Sequence, residues 1–488
     1  MEVEPTDNKL HPLFHKMNTC RRTAMHALTR RRIIWGVRIA CAGMSCMSLL
    51  AVWPSDVPNR IQAETSWLYR HGIYNSGQSP TQFTVNTLDP LSSVKGPPTS
   101  SFRDNMRSDT KYVTSWGSGG WSNDVIGNMN LIYLGMITDR VPVVPVFLPS
   151  HAMMHSYGND HSPLPFGDVF DLPRLRKAIK KPVLEWRDVK TSNSSAKMDE
   201  IGCWNVWESI QYFDPAPRQS FAPWFLKLDI SYTKTPFWVK MKPNFEHDRF
   251  SSFWALAALA FPRGRNANLV PPLPTKSNVS LGPDEHMLCY DFLYYLAAHQ
   301  SDEIEQDYSP AWREVGQHMH WTVRLERLAN DYIRRTLHVR HHEPIPPFIS
   351  IHVRHSDFKS WCEKDVPLEE CYASLPVIQR RVHEVQDELK EKKGIVASHV
   401  IVTSDEKNGT FWRDVHEMGW FGVDHSRTKE LYGQWYPILI DAVIQSKGAG
   451  FVGTDRSTVS MLSNRRVQSW QDGPVRTVKW GTRGADDH

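Results

Sequence analysis

Three polar side chains that could bind a phosphate follow an apolar segment in the C-terminal third of the chain. The segment Pro347-Phe-Ile-Ser-Ile-His-Val-Arg-His-Ser-Asp-Phe358 contains His352, Arg354 and Asp357. Its apolar residues predict a buried strand, and an α/β sheet binds ligands where its strands end. Arg354 can hold a phosphate through two N–H donors, His352 can donate to a base edge or a phosphate, and Asp357 can orient Arg354 or accept from a base or sugar. Each residue alone is equally compatible with a solvated strand edge or a helix cap.

A glycine-rich segment earlier in the chain offers a second place for a phosphate. Trp116-Gly-Ser-Gly-Gly-Trp-Ser-Asn-Asp124 precedes residues 125–138, which predict a helix, and 141–147, which predict a buried strand. Gly119 and Gly120 would let backbone N–H groups approach a phosphate at the N-terminus of that helix. The alternative is a plain glycine turn before a helix.

The C-terminal part of the chain alternates strands and helices, which predicts a parallel sheet. We expect helices over 375–393, 411–418, 435–446 and 457–464, and strands over 399–404 and 450–453. Asp405 follows the first of these strands. Ser457 and Thr458 follow the second at a helix N-terminus, where hydroxyls and N–H groups can hold a diphosphate or simply cap the helix.

These four segments, in this order, resemble the GDP-fucose protein O-fucosyltransferase family. The spacing His-x-Arg-x-x-Asp is similar to the family's first signature, and Val402-Thr-Ser-Asp405 is similar to its second. Gly450-Phe-Val-Gly-Thr-Asp-Arg-Ser-Thr-Val-Ser460 resembles the third, with Val459 in place of the usual Phe. Gly119-Gly-Trp-Ser-Asn-Asp124 resembles the family's Gly-Gly-Phe-Asn-Asn-Gln loop, and 138–145 resembles the Leu-Asn-Arg-Thr-Leu-Val-Val-Pro that follows it. Residues 150–300 carry no such match.

The resemblance implies roles for several of these residues. Arg354 would bind the β-phosphate of GDP and help the leaving group depart, Asn123 would contact the donor, and Asp405 would help to bind the nucleotide. Asp124 stands where the family usually has Gln, and Ile126 where some relatives have a Glu base. We therefore take Asp124 as the candidate general base. The other candidate contacts of GDP-fucose are Gly119, Gly120, His352, Asp357, Ser457 and Thr458.

The resemblance also implies a fold and a reaction. The fold would be α/β of the GT-B kind, with two Rossmann-like domains facing each other across a cleft. Fucose would move from GDP-β-L-fucose to a hydroxyl of a protein Ser/Thr or a glycan, with inversion. The sequence contains no Asp-x-Asp that could hold a cation on the diphosphate, which predicts a transferase without metal or other cofactor.

Other functions remain compatible with the sequence. The same fold could use another sugar nucleotide, or the chain could be a catalytically silent, membrane-anchored relative that binds glycans or proteins. A nicotinamide-dependent enzyme is disfavoured, because the glycine loop lacks the Gly-x-Gly-x-x-Gly spacing. The net charge of +4 comes largely from the first forty residues and gives no indication of nucleic-acid binding.

The N-terminal region predicts a membrane anchor. Residues 33–53 form an apolar stretch, interrupted by Arg38, of the length that spans a bilayer. Several arginines precede it and Asp56 is the first charge after it, which predicts a type II orientation. A cleaved signal peptide and a mitochondrial presequence are the alternatives, disfavoured by the long preceding arm and by its acidic residues.

The 488 residues are enough for two domains with extra segments. We predict a cytosolic tail (1–32), the anchor (33–53), a stem (54–110), an N-terminal Rossmann-like domain on the acceptor side (111–340) and a C-terminal Rossmann-like domain for the nucleotide sugar (341–488). The catalytic part would lie in the lumen of the Golgi or the ER. Sequons at Asn193, Asn278 and Asn408 permit this address.

Four of the seven cysteines lie after the predicted anchor: Cys203, Cys289, Cys362 and Cys371. Four oxidised cysteines allow three pairings, and we favour Cys362 with Cys371, which would close a small loop after Asp357. Four buried free thiols are the alternative. The absence of a Cys-x-x-Cys pair disfavours zinc.

Two further expectations concern the unmatched middle of the chain. Residues 311–337 predict one long helix leading into the strand before Arg354. We expect most of the tryptophans in this part to be core residues, although aromatic rings could stack on a sugar or peptide acceptor; they are Trp186, Trp204, Trp207, Trp224, Trp238 and Trp254.

Overall fold

The computed structural model describes residues 88–148, 163–211 and 216–486. All of them belong to one compact unit, Thr84–His488. The predicted tail and membrane anchor lie outside the described residues. Within the described ranges, no helix has both the length and the apolar character needed to span a bilayer.

The strands of the described residues are numbered in chain order. They are β1 (Tyr112–Ser115), β2 (Val141–Val144), β3 (Leu184–Glu185), β4 (Asp199–Asn205), β5 (Leu228–Lys234), β6 (Ser251–Ser252), β7 (Met287–Tyr290), β8 (Leu296–Ala297), β9 (Phe348–Val353), β10 (His399–Ser404), β11 (Phe421–Gly422), β12 (Gly450–Thr454) and β13 (Val475–Val478).

The α-helices are numbered in the same way. They are α1 (Phe102–Asn105), α2 (Trp121–Ile137), α3 (Phe166–Val169), α4 (Leu172–Ile179), α5 (Trp186–Val189), α6 (Trp207–Ile210), α7 (Ala222–Phe225), α8 (Phe253–Ala258), α9 (Pro262–Asn266), α10 (Pro310–Glu314), α11 (Val323–Thr336), α12 (Leu368–Cys371), α13 (Leu375–Lys393), α14 (Gly409–Glu417), α15 (Thr428–Tyr432), α16 (Tyr436–Lys447) and α17 (Thr458–Arg466).

The strands form two main parallel sheets. One has six strands in the order β3-β2-β1-β7-β4-β5, and the other has five in the order β11-β10-β9-β12-β13. The neighbouring strands in both sheets pair in parallel. Helices connect most of the strands, as parallel pairing requires. The predicted α/β fold with parallel sheets is confirmed.

The central strand of the five-stranded sheet separates two kinds of side chain. Ile349 and Ile351 are buried with Val382 and Val385 of α13, whose predicted bounds are confirmed. Ser350, which alternates with them, donates a hydrogen bond to a backbone carbonyl of α16 over 2.8 Å. Since side chains alternate along a strand, β9 packs Ile349 and Ile351 on α13 and directs Ser350 and His352 toward the helices that follow β11 and β12.

The order of strands brings three polar strand ends together. From β9 the chain continues to β10 and β11 on one side, and it then returns to β12 on the other side of β9. The register places Ser404 beside Val353 and Gly453 beside His352. The residues after β9, β10 and β12 therefore lie at one edge of the sheet. Such a reversal of strand order is where open α/β sheets bind ligands.

The single helix predicted over 311–337 is wrong. The chain forms α10, a 3-10 turn at Gly316–His318 and then α11. A side chain at Gly316 would place Cβ 2.5 Å from Met129 Sδ of α2 and from the Trp312 ring, so the close approach of the chain to α2 ends the first helix. Thr322 then caps α11 by accepting from the backbone N–H of Leu325.

The predicted stem extends too far along the chain. Val94, Phe102 and Met106 are buried in the core that contains Trp186 and Val189. The rings of Phe102 and Trp186 meet edge to face at a centroid distance of 5.7 Å. Residues 88–110 therefore pack into the α/β unit. Their apolar side chains are spaced irregularly in the sequence, so no periodic pattern indicated that they are buried in one core.

The structure decides the pairing of the four cysteines, which the sequence left open in part. Cys362 bonds with Cys371, as predicted. Cys203 bonds with Cys289 and joins neighbouring strands β4 and β7. The alternative of four free thiols is wrong.

The tryptophans of the unmatched segment divide by burial. Trp186, Trp204 and Trp207 are core residues, as expected. Trp224 and Trp254 keep 70% and 56% of their surface exposed, so a core interpretation is wrong for these two.

The packing of residues 88–110 predicts that Phe102→Ala destabilises the whole unit. Removing a fully buried phenyl ring leaves a cavity, so we expect the free energy of unfolding to fall by about 3–5 kcal/mol. Urea unfolding followed by tryptophan fluorescence measures this loss. Leu91→Ala, at a side chain that is 63% exposed, is the matched control and should change little. Equal stability of the two variants would contradict the packing of this segment.

Candidate functional site

The side chain of Arg354 lies where the ends of β9 and β10 meet. Its guanidinium pairs with the carboxylate of Asp405 and donates to Asp357 Oδ1 over 2.6 Å. The backbone N–H of Arg354 donates to Thr454 Oγ1, at the end of β12, over 3.0 Å. Asp405 also accepts from the backbone N–H of His355 (2.9 Å). Three neighbouring strand ends are therefore tied around one arginine.

Aromatic rings pack around this cluster. The ring of Phe358 lies 5.4 Å from the guanidinium of Arg354 and stacks on Trp480. His355 stacks on Tyr372 at a centroid distance of 4.1 Å. Phe358 and Tyr372 lie on either side of the segment that the Cys362–Cys371 disulfide closes. The disulfide therefore fixes the aromatic wall of the arginine cluster.

His352 faces the interior at the end of β9. It is 6% exposed, and burial lowers its pKa to about 4. The neutral ring places Nδ1 2.8 Å from Ser460 Oγ of α17, and the same hydroxyl accepts from the backbone N–H of Thr454 (2.9 Å). This arrangement favours a positioning role for His352 over the predicted contact with a nucleotide.

The N-termini of α2 and α17 face each other, and hydroxyl groups connect them. Ser122 Oγ lies 2.7 Å from Thr458 Oγ1, which in turn donates to Asn123 Oδ1 over 2.8 Å. Ser457 caps α17 by accepting from the backbone N–H of Ser460. Because a helix N-terminus carries partial positive charge, this contact favours an anionic ligand beside it.

The glycine loop before α2 folds around the carboxylate of Asp124. Oδ1 of Asp124 accepts from the backbone N–H groups of Ser118 (3.0 Å) and Gly119 (2.9 Å). Burial raises the pKa of this carboxyl to about 7, although both hydrogen bonds act in the opposite direction. A Cβ at Gly119 would lie 2.7 Å from Asn123 Cβ, so the loop requires glycine there. Gly120 is the N-cap residue of α2, in an extended conformation.

Arg218 holds the same loop from the other side. Its guanidinium donates to the carbonyl oxygen of Ser118 over 2.9 Å and lies 4.5 Å from the ring of Trp207. Its backbone N–H donates to the fully buried Asp291 (3.2 Å). Sequence reasoning missed Arg218, because nothing local distinguishes it in a segment without a recognisable motif.

A cavity of about 570 Å³ lies beside the facing helix N-termini. One wall comes from the turn after β12 and from α17, and it includes the predicted Ser457 and Thr458. Thr454, which binds the backbone of Arg354, lines it as well. The other walls include Ile126 of α2, Phe250, residues 294–296, Asp302 and residues 304–306.

The structure thus groups the predicted site residues in three places. Ser457 and Thr458 line the cavity, Arg354, Asp357 and Asp405 lie at the strand ends next to it, and Gly119, Gly120, Asn123 and Asp124 lie on the loop and helix opposite α17. Sequence reasoning missed the charged residues of the cavity wall, which are Asp302, Glu305, Asp455, Arg456 and Arg465. Asp455 and Arg456 lie inside the third family-like segment and could have been noticed there.

In the part of the chain that the structure describes, no three His, Cys, Asp or Glu side chains are grouped so that they could hold a metal ion.

Comparisons with known proteins identify the family of this chain. No curated protein matches the chain. Among solved structures, POFUT1 in complex with GDP-fucose is 13% identical, with 77% of this chain and 99% of that chain covered and a TM-score of 0.46. The fucosyltransferase NodZ from Bradyrhizobium is 13% identical, with 74% and 92% covered and a TM-score of 0.35. The sequence model of GDP-fucose protein O-fucosyltransferases matches residues 112–468, which is most of the chain. The chain therefore belongs to the GDP-fucose protein O-fucosyltransferase family.

Proposed function

We propose that this protein is a transferase that moves L-fucose from GDP-fucose to an acceptor hydroxyl, with inversion and without a metal ion. The acceptor would be a protein Ser/Thr or a glycan. The observation that carries the proposal is the position of Arg354. It lies at a reversal of strand order and is bonded to Thr454, which lines the cavity beside the two facing helix N-termini. In a GT-B arrangement, the five-stranded sheet would belong to the half that holds the donor.

The proposed reaction requires fixed positive charge at the leaving group. An in-line displacement develops negative charge on the diphosphate, which oriented N–H donors and helix N-termini stabilise. Arg354 uses N–H groups of both terminal nitrogens for its carboxylates, and its remaining N–H groups are available to a phosphate. The N-terminus of α17 adds the hydroxyls of Ser457 and Thr458.

One of the two carboxylates on Arg354 is easily displaced. The side chain of Asp357 is 70% exposed, so solvent screens its ion pair, whereas that of Asp405 is 23% exposed. We propose that an arriving diphosphate replaces Asp357 on the guanidinium and that Asp405 keeps the arginine in place.

Two features support the proposed lumenal address in the Golgi or the ER, behind a single-pass type II anchor. Disulfides persist in oxidising compartments, and the described residues contain two of them. The sequon asparagines Asn193, Asn278 and Asn408 are all exposed.

The second candidate is a catalytically silent relative that binds GDP. It is favoured by the engagement of Asp124, whose Oδ1 accepts from two loop N–H groups and which is 5% exposed. We propose that Asp124 positions the glycine loop, so the reaction needs another proton acceptor. Binding of GDP-fucose without any turnover would identify the silent relative, and competition among sugar nucleotides would identify a different donor.

Replacing Arg354 should weaken GDP binding strongly. Arg354→Ala removes charge-assisted hydrogen bonds worth about 1.5–3 kcal/mol, so we expect roughly ten- to hundredfold weaker binding of GDP in calorimetry. Arg354→Lys keeps the charge but loses the planar fork and should be intermediate. EDTA should leave the wild-type affinity unchanged.

The matched control is Arg413→Ala, an exposed arginine of α14. It should bind GDP like the wild type. Circular dichroism shows whether the Arg354→Ala variant is folded. If the folded variant binds GDP as tightly as the wild type, the donor does not bind at this strand edge. An affinity that EDTA abolishes would refute the metal-independent proposal.

The buried carboxyl of Asp124 predicts a pH-dependent stability. Its pKa is 3.8 in the unfolded chain and about 7 in the fold, so the folded state binds this proton more tightly. The contribution is fully present below about pH 4 and is lost as the pH rises through about 7. Relative to Asp124→Asn, which does not titrate, the wild type should lose roughly 1.4 kcal/mol of unfolding free energy per pH unit between these values. Urea unfolding at pH 4 to 8 measures the difference, with the exposed Asp331→Asn as the control. A pH-independent difference between wild type and Asp124→Asn would contradict the raised pKa.

A further inference from the structure

Two carboxylates in the wall of the 570 Å³ cavity lack a partner. Asp302 and Glu305 belong to the segment between β8 and α10, and neither side chain has a hydrogen bond or an ion pair in the described residues. Asp455, the third carboxylate of the wall, differs because Arg456 Nε lies 3.8 Å from its Oδ2. The free carboxylates therefore come from the side of the cavity opposite α17.

Glu305 lines the cavity together with the turn after β12. It interacts electrostatically with Asp302 in its own segment and with Asp455 in that turn, directly before Ser457. No such interaction across the cavity acts on Asp302. Both residues are exposed and line the cavity, and partial burial of each carboxylate raises its pKa.

An independent observation indicates that the cavity takes a polar ligand. Arg465 of α17 lines it and is only 5% exposed. Its NH1 donates to Gln468 Oε1 (3.1 Å), but its Nε has no hydrogen-bond partner and no carboxylate forms an ion pair with it in the described residues. A buried guanidinium with unused donors normally has an acceptor. Oxygen atoms of a bound molecule would supply it.

The α2 side of the cavity provides no proton acceptor. Ile126 is the residue through which α2 lines it, and the carboxylate of Asp124 is engaged by the glycine loop instead. The proton of an acceptor hydroxyl next to Thr458 therefore has to leave toward the opposite wall.

From this arrangement we propose that the cavity is the acceptor site and that Glu305 is the general base of the transfer. This inference rests on the proposed fucosyl transfer. The acceptor oxygen forms a bond to C1 of fucose while the bond from C1 to the diphosphate oxygen breaks. The acceptor O–H proton passes to the carboxylate of Glu305, and the electron pair of the broken bond stays on GDP, beside Arg354.

The test uses two nucleophiles that need no identified acceptor. Water must lose a proton to become a product hydroxyl, whereas azide is already an anion and needs no base. GDP release from GDP-fucose by the full chain is measured with water alone and with sodium azide added. Because a general base contributes about 100-fold or more, Glu305→Gln should lower the rate with water by about that factor and leave GDP affinity unchanged. Azide should restore GDP release by this variant to near the wild-type rate with azide.

Two further variants separate a base from a structural residue. Glu314→Gln, at an exposed carboxylate of α10 that does not line the cavity, is the matched control and should react like the wild type. The charged groups that line the cavity with Glu305 are Asp302, Asp455, Arg456 and Arg465, of which Asp302 and Asp455 act on it electrostatically. Asp302 raises the pKa of Glu305, so Asp302→Asn should lower that pKa and shift the rising limb of the pH–rate profile with water to lower pH. In Glu305→Gln the rising limb should be absent.

The possible outcomes distinguish this inference from the proposed function. A Glu305→Gln variant with the wild-type hydrolysis rate, or with a loss that azide does not restore, overturns the role of Glu305 and leaves the fucosyl transfer standing. A wild-type protein that binds GDP-fucose but releases no GDP with either nucleophile overturns both. Slower GDP release by Glu305→Gln with water alone, restored by azide, supports the inference.

Discussion

The ion pair between Arg354 and Asp405 is the interaction on which the site depends. It spans the ends of two neighbouring parallel strands, and Asp405 also accepts the N–H of His355. The third strand joins through the hydroxyl of Thr454, which accepts the N–H of Arg354 and donates to the carbonyl of His352. Without Asp405, the guanidinium would keep only the more exposed Asp357 as its partner, and solvent screens that ion pair. The orientation of the arginine and the alignment of the strand ends are therefore coupled.

The contact between α2 and α17 adds a second constraint. Two helix N-termini of like partial charge face each other, and the hydroxyl and amide groups of Ser122, Thr458 and Asn123 bridge them. These bonds connect the helix that follows β1 of the six-stranded sheet with the helix that follows β12 of the five-stranded sheet. The two electropositive helix ends therefore stay side by side, where an anion would stabilise both.

Buried carboxyl groups hold the backbone where it leaves the six-stranded sheet. Asp124 accepts from N–H groups of the glycine loop, and Asp291 accepts from those of Val206 and Arg218. Burial raises the pKa of both carboxyls to about 7, so each can remain neutral in its site. Backbone groups that no longer belong to a strand ladder need such partners, because an unpaired buried N–H is costly. The loops at the proposed site are thus held by two ionisable groups that the fold has to bury.

The sequence by itself determined the elements whose signals are local. The apolar runs of β9, β10 and β12, the periodic pattern of α13 and the glycine loop before α2 each depend on neighbouring residues, and the short separation of Cys362 and Cys371 favoured their pairing. The tertiary structure alone decided the contacts between distant segments. Thr458 meets Asn123 across 335 residues, Arg218 reaches Ser118 from a segment without a motif, and Gly316 interrupts a helical pattern because α2 leaves no room for a side chain. Periodicity and capping specify how a segment folds. The placement of one sheet beside the other, by which Glu305 and Ser457 come to line one cavity, depends on the packing of the whole core.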